Sequence, residues 1–269
     1  MNSLIALSVG LIAGAHSATW GMYKDAPYEG FTYLKYSRSI WLSGLIALVV
    51  EWLAKIEVTQ ASGLVVLYGV TYVIERAMLE FYKTFLRDED QSKYFIPMQL
   101  HVFGRVVKSR AKRWSVGAVY MAGVLLVVYG IHVMQQSQLG TSGLMIVLAI
   151  GSVGGWISAF GGAWKDGPIE GFEILKFFRS PVIAFLYAVM LACFTTNYLF
   201  ICFGALGYTI GTIETYKTFF FPSKPRGKFT GKPVIAPKML SRRQFFVPVY
   251  VAIWLLVVAG FVTGVSNLH

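Results

Sequence analysis

The chain is poor in charge, cysteine and histidine. Asp, Glu, Lys and Arg make up 14% of its 269 residues, well below the roughly 25% of a soluble chain, and that deficit excludes an ordinary water-soluble domain. Its two cysteines, Cys193 and Cys202, are too few for a disulfide framework and lack metal-ligand spacing; both read as small buried hydrophobes. The four histidines, His16, His101, His132 and His269, make no pair spaced for haem or zinc. A phosphate loop of the Gly-x-x-x-x-Gly-Lys-Ser/Thr type is missing, and the Gly227 to Lys232 run only superficially resembles one, so nothing supports ATP. Protease and hydrolase signatures of the His-Glu-x-x-His and Gly-x-Ser-x-Gly kinds are missing as well.

What the chain has instead is apolar length. Hydrophobic residues make up 56% of it, gathered into stretches long enough for a helix rising 1.5 Å per residue to cross about 30 Å of hydrocarbon. The expected spans are 3–22, 40–57, 61–80, 114–134, 142–163, 181–197, 198–215 and 244–264. The first begins without the basic flank of a secretory signal and reads as a retained span, with Trp20 and Tyr23 as interface anchors.

Charge sets the orientation. The 24 Lys and Arg exceed the 13 Asp and Glu by 11, and the excess sits in alternate connections. Residues 87–113 carry seven basic and three acidic side chains, and 217–243 carry eight basic and no acidic ones. With eight spans every basic connection falls on one side, so the expected arrangement is a bacterial-type inner or plasma membrane with both termini outside the cytoplasm.

The chain also repeats itself. Lys24-Asp25-Ala26-Pro27-Tyr28-Glu29-Gly30-Phe31 returns as Lys165-Asp166-Gly167-Pro168-Ile169-Glu170-Gly171-Phe172, and through Ser39 and Ser180 ten of sixteen positions are identical. A second block pairs Glu80 to Phe85 with Glu214 to Phe219, and a third pairs Lys112-Arg113 with Arg242-Arg243. Four spans per copy make the copies parallel. The fold class expected is an all-α polytopic integral membrane protein, with about eight transmembrane helices in two parallel four-helix repeats, 1–140 and 141–269, and pseudo-two-fold symmetry about the membrane normal.

Each repeated motif reads as a cytoplasmic elbow, 24–39 and 165–180. Asp25 and Asp166 would cap a short interfacial helix, with Pro27 and Pro168 in its first turn and Glu29 and Glu170 near its positive end. Capping alone does not explain why Lys24, Lys35 and Arg38 recur as Lys165, Lys176 and Arg179. Those cations would neutralise a phosphate or carboxylate, while Asp25, Glu29, Asp166 and Glu170, if they met, would hold a hard divalent cation such as magnesium. Glu75, Glu80 and Glu214 are acids inside or at the ends of spans, candidates for ion or proton coupling. The glycines of spans one, five and seven read mainly as helix-packing surfaces.

The loops 87–113 and 217–243 would meet anionic lipid headgroups, with docking of a protein partner second and nucleic acid disfavoured. Three functions follow: transport of a small anionic or phosphorylated substrate beside the interface of the repeats, a metal-dependent membrane enzyme acting on a phosphorylated lipid, or a non-catalytic subunit of a larger membrane complex.

Overall fold

The computed structural model describes residues 1–137, 143–223 and 227–267; the boundary expected between 140 and 141, Pro225 and His269 lie outside them. The described chain forms eight long helices, α1 (Asn2–Glu29), α2 (Tyr33–Ala54), α3 (Ala61–Phe81), α4 (Arg110–Gln136), α5 (Gly143–Glu170), α6 (Ile174–Ala192), α7 (Tyr198–Phe219) and α9 (Val247–Ser266), with a one-turn helix α8 (Lys238–Arg242) before the last. Seven segments are long and apolar enough to cross a membrane, the last running from Lys238 through α9. They mark an all-α integral membrane protein. α3 stands apart because Glu75, Arg76 and Glu80 fall within its 21 residues.

α1 and α5 are each 28 residues long, about 42 Å at 1.5 Å per residue, against a hydrocarbon layer of about 30 Å. The surplus length carries the repeated motif. This corrects the expected elbow: Asp25 and Asp166 begin no helix but lie in the last turns of α1 and α5, with Pro27 and Pro168 inside those helices. The helices stop at Gly30 and Gly171, whose φ angles of 75° and 88° suit a residue without Cβ. No separate interfacial helix follows. α2 starts three residues on, where the Thr32 side chain accepts a hydrogen bond from the Lys35 amide at 3.3 Å, and runs unbroken to Ala54. The loop after α3 holds a two-stranded hairpin, β1 (His101–Val102) with β2 (Arg105–Val106).

Small residues decide how closely the helices approach. A methyl group on Gly10 would lie 2.5 Å from the Ser43 carbonyl oxygen, and one on Gly14 would lie 2.4 Å from that of Ser39, so α1 packs on α2 backbone to backbone. α5 meets α6 through Gly151 against Ala188 and Gly155 against Pro181 and Ser180. α3 and α7 cross at the centre, where a methyl on Gly207 would lie 2.1 Å from the Gly69 carbonyl oxygen, and the Tyr208 hydroxyl donates to the Val65 carbonyl at 2.7 Å. Each glycine lowers helix propensity by about 1 kcal/mol, a loss offset by dispersion contacts that only close backbones make. The expected packing role holds for these positions but not for Gly21, Gly161 and Gly162, where an added methyl meets nothing within 4 Å.

Three local expectations change. Trp20 and Tyr23 face the interior, 6% and 3% exposed, because each has a polar partner there. Cys193 is exposed at the end of α6 while Cys202 is buried. Asn197, given no role from sequence, caps α7 by accepting from the Phe200 amide at 3.2 Å.

Gly207→Ala should therefore lower stability in detergent by about 1–3 kcal/mol, the usual range for overpacking. Gly161→Ala should be neutral or stabilising by up to about 1 kcal/mol. Thermal or denaturant melts compare the two, and equal loss from both would contradict the central helix crossing.

Candidate functional site at the basic end

The ends of the bundle differ sharply in charge. Among the described residues Lys55 is the one basic side chain at the end holding 55–60 and 193–197; the others lie toward the end where α1, α3, α5 and α7 finish. At that end the four helices bring charges from distant sequence together. The Lys24 ammonium donates to Glu214 at 3.3 Å across 190 residues, with both side chains mostly buried. Glu80 receives Arg76 at 2.8 Å and Lys83 at 3.1 Å and lies within electrostatic range of Lys165. Lys217 sits 3.6 Å from Glu214. This end thus groups Lys24, Arg76, Lys83, Lys165 and Lys217 with Glu75, Glu80 and Glu214, and within electrostatic range of them lie Lys228, Arg179, Asp25 and Asp166.

Above these charges runs a buried polar lining. Glu75 is fully buried; one oxygen accepts from Ser17 at 3.0 Å and the other has no protein partner. Trp20 donates its indole N–H to Tyr72 at 2.8 Å, and the Arg76 guanidinium lies 4.8 Å over the Trp20 ring, a cation–π contact strengthened by desolvation. One turn further in, His16 Nδ1 meets the Tyr68 hydroxyl at 2.5 Å, its ring boxed by Tyr72, Tyr250 and Trp254. His16 is therefore no membrane-end residue but part of the interior. Sequence reading missed it because a single histidine in an apolar stretch carries no spacing signal.

The sequence candidates divide into two groups. Lys24 and Lys165 enter the crossing with Glu75, Glu80 and Glu214. The four acids once considered for a metal do not: among the described residues no group of three or more His, Cys, Asp or Glu side chains is placed to hold one. Each acid pair has its own lysine. Lys228 donates to Asp25 at 2.7 Å and to Glu29 at 3.3 Å, and Lys176 lies 3.9 Å from Asp166 and 2.9 Å from Glu170. The reason is electrostatic, since a carboxylate in the last turn of a helix faces the negative end of its dipole and needs a neighbouring cation. Burial opposes the charge on Lys228, yet Asp25 and Glu29 outweigh it and hold its pKa above the ordinary lysine value. Lys35 is more exposed, 4.0 Å from Glu29, Arg38 lies on the surface, and Arg179 lines a cavity beside Glu214.

The loops are fastened by two buried arginines that the sequence offered as loop charge and as members of the third repeated block. Arg113 donates to the Val107 and Lys108 carbonyls at 3.2 and 3.0 Å and pairs with Asp88. Arg243 donates to the Tyr23 carbonyl at 3.1 Å and the Pro222 carbonyl at 2.9 Å. Tyr23 is four residues before Pro27, whose missing N–H leaves that carbonyl without its helical donor. Arg243 supplies the replacement.

No protein-family model, no curated protein and no solved structure matches the chain. Its chemistry therefore rests on the geometry just described.

His101 gives the loops a pH dependence. It is buried, stacked on Trp164 with ring centroids 6.1 Å apart, and neither ring nitrogen has a protein partner. Burial first, then repulsion from Lys165, lowers its pKa against a smaller pull from Asp166. A depressed histidine stays neutral in the folded loop while the unfolded one protonates near pH 6.5, so docking weakens as pH falls below about 6.5. Hydrogen exchange over residues 94–107, corrected for intrinsic rates, should quicken between pH 7 and pH 5.5, less so in His101→Phe. Identical pH dependence in the variant would refute this assignment.

Proposed function

We propose that the protein is a membrane carrier for a small anionic or phosphorylated substrate. It is built from two four-helix units, 1–140 and 141–269, entering the membrane in the same sense about an axis along its normal. α3 counts as an eighth span in this reading, shielded from lipid by its neighbours. The basic end faces the cytoplasm and both termini face away from it.

Residue-for-residue recurrence supports the two units. The Gly10–Ala47 and Gly14–Ser39 contacts of α1 with α2 return 141 positions later as Gly151–Ala188 and Gly155–Ser180. Lys24 of one unit reaches Glu214 of the other, and Lys165 acts on Glu80 in the reverse direction. Parallel repeats related in this way place equivalent side chains around one central path.

The observation that carries the reading is the charge balance at this end, where Lys24, Arg76, Lys83, Lys165, Lys217, Arg179 and Lys228 outnumber Glu75, Glu80, Glu214, Asp25 and Asp166. Such an excess in a low-dielectric setting attracts an anion. An arriving phosphate or carboxylate competes with Glu80 and Glu214 for Lys24, Arg76, Lys83, Lys165 and Lys217. Releasing the Lys24–Glu214 pair frees the two units to move against each other. Glu75, with one unpaired oxygen above the crossing, is placed to take up the coupling proton or cation. An enzyme using a carboxylate-held metal is not favoured, because the four elbow acids do not converge. A purely structural subunit would have an apolar axis, whereas here charges from both halves meet.

Uptake of inorganic phosphate and of glycerol phosphate into proteoliposomes tests the proposal. Lys24→Gln should lower uptake at least about tenfold, the scale of one lost charge-assisted hydrogen bond. The reversed pair, Lys24→Glu with Glu214→Lys, should recover more activity than either single reversal. Uptake of neither solute, or uptake indifferent to all these changes, would dismiss the carrier.

A further inference from the structure

The two elbows share a motif but not an occupant. At the first, the chain fills the groove itself. Met239 is buried against Met22 and Ala26, with Phe31, Tyr36 and Phe246 around it. The Ile235 and Ala236 amides donate to the Pro27 carbonyl at 3.0 and 2.9 Å, and the Lys228 ammonium sits on Asp25 and Glu29. The other long loop leans the same way: Tyr94 donates to Glu29 at 2.9 Å and the Phe95 amide to the Lys228 carbonyl at 2.7 Å. Both loops are thus committed to the first elbow. Among the described residues the loops touch the second at its rim, His101 on Trp164 and Gly104 near Ile169.

Beside that second elbow lies an unfilled cavity of about 160 Å³ between α5, α6 and α7. Its charged lining is balanced, with Asp166, Glu173 and Glu214 against Lys176, Arg179 and Lys217. Its floor includes Phe177 and Ile213. On the outer side Phe172, Ile174 and Leu175 are exposed, Leu175 by 84%, so the groove opens beside a surface suited to acyl chains. A cavity of this size takes a small polar headgroup and not a whole lipid.

We propose that this groove binds an aminophospholipid, the headgroup inside and the chains outside. The first elbow is the template: a primary ammonium on the acid pair, next to an apolar group in the groove. At the second elbow the lipid's ammonium takes the place that Lys228 holds at the first, meeting Asp166 of the lining in competition with Lys176. The phosphate meets Arg179 and Lys217, a guanidinium and an ammonium suited to its oxygens. Balanced lining favours a zwitterion over a headgroup of net negative charge, and the cavity shares Glu214 and Lys217 with the cation-rich cluster next to it. The proposal rests on the repeated motif and on the balanced charge of the cavity lining, and it stands whether or not the protein carries a solute.

Native mass spectrometry of the delipidated protein measures it, with phosphatidylethanolamine and phosphatidylglycerol of the same chains and soluble phosphoethanolamine as a third probe. Retention should favour phosphatidylethanolamine over phosphatidylglycerol by at least about fivefold. Arg179→Gln should weaken it about tenfold, as expected for one charge-assisted hydrogen bond. Gly162→Leu should abolish it by filling the groove, since the position lines the cavity and an added methyl meets nothing within 4 Å. Gly21→Leu, the matching position of the first half and equally open, should retain the lipid and shows that a leucine in this turn is tolerated. Phosphatidylglycerol bound as well as phosphatidylethanolamine, or full retention in Gly162→Leu, would overturn the proposal. So would phosphoethanolamine binding in place of the lipid.

Discussion

The ion pair between Lys24 and Glu214 is the contact on which the rest turns. It joins side chains 190 positions apart, 3.3 Å from each other and 19% and 15% exposed. A charge in such a setting is costly to leave alone, on the order of 3–5 kcal/mol when a buried partner is removed. The pair therefore fixes which residues of α1 and α7 meet, because neither charge is cheaply left alone. Glu80 is held by Arg76 and Lys83, close by in sequence, and lies within electrostatic range of Lys165 on α5. α1 and α7 are thereby tied at one end by charge, while further along α3 and α7 are tied by the absence of side chains at Gly69 and Gly207.

The same electrostatics shape the loops. Carboxylates in the last turn of a helix are opposed by its dipole, and the chain answers with ammonium groups. At the first elbow the answer comes from afar, as Lys228, and brings a whole segment with it: Met239 packs, Arg243 takes the carbonyl that Pro27 leaves open, and the Ile235 and Ala236 amides dock on the Pro27 carbonyl. At the second elbow Lys176, in the first turn of α6, answers locally. One sequence motif thus has two environments, and a cavity lies beside the second.

Much of this was legible in the sequence, and the parts that were not have identifiable reasons. Apolar length located the helices, and the alternation of basic connections located the charged end, because both signals sum over many residues. The repeat singled out Lys24 and Lys165, and the ends of α3 and α7 supplied Glu80 and Glu214. The direction of the elbow was misread since Asp-x-Pro-x-Glu satisfies helix-start rules, and only the extra turns of α1 and α5 show that it closes a helix instead. Trp20 and Tyr23 look like interface aromatics by position along the span; their burial depends on Tyr72 and on Gln244, which are remote in sequence. The four acids do not gather for a related reason, as sequence shows the acids but not the lysines, Lys228 and Lys176, that reach them.

The meeting of the two halves at the basic end is tested most directly in membranes. With Cys193 and Cys202 replaced by serine, a Lys24→Cys, Glu214→Cys protein treated with a short bifunctional thiol reagent should form an internal cross-link in the monomer. The pairing of Lys24 with Glu214 across the crossing would be contradicted if each single cysteine were labelled readily while the double variant gave no internal link.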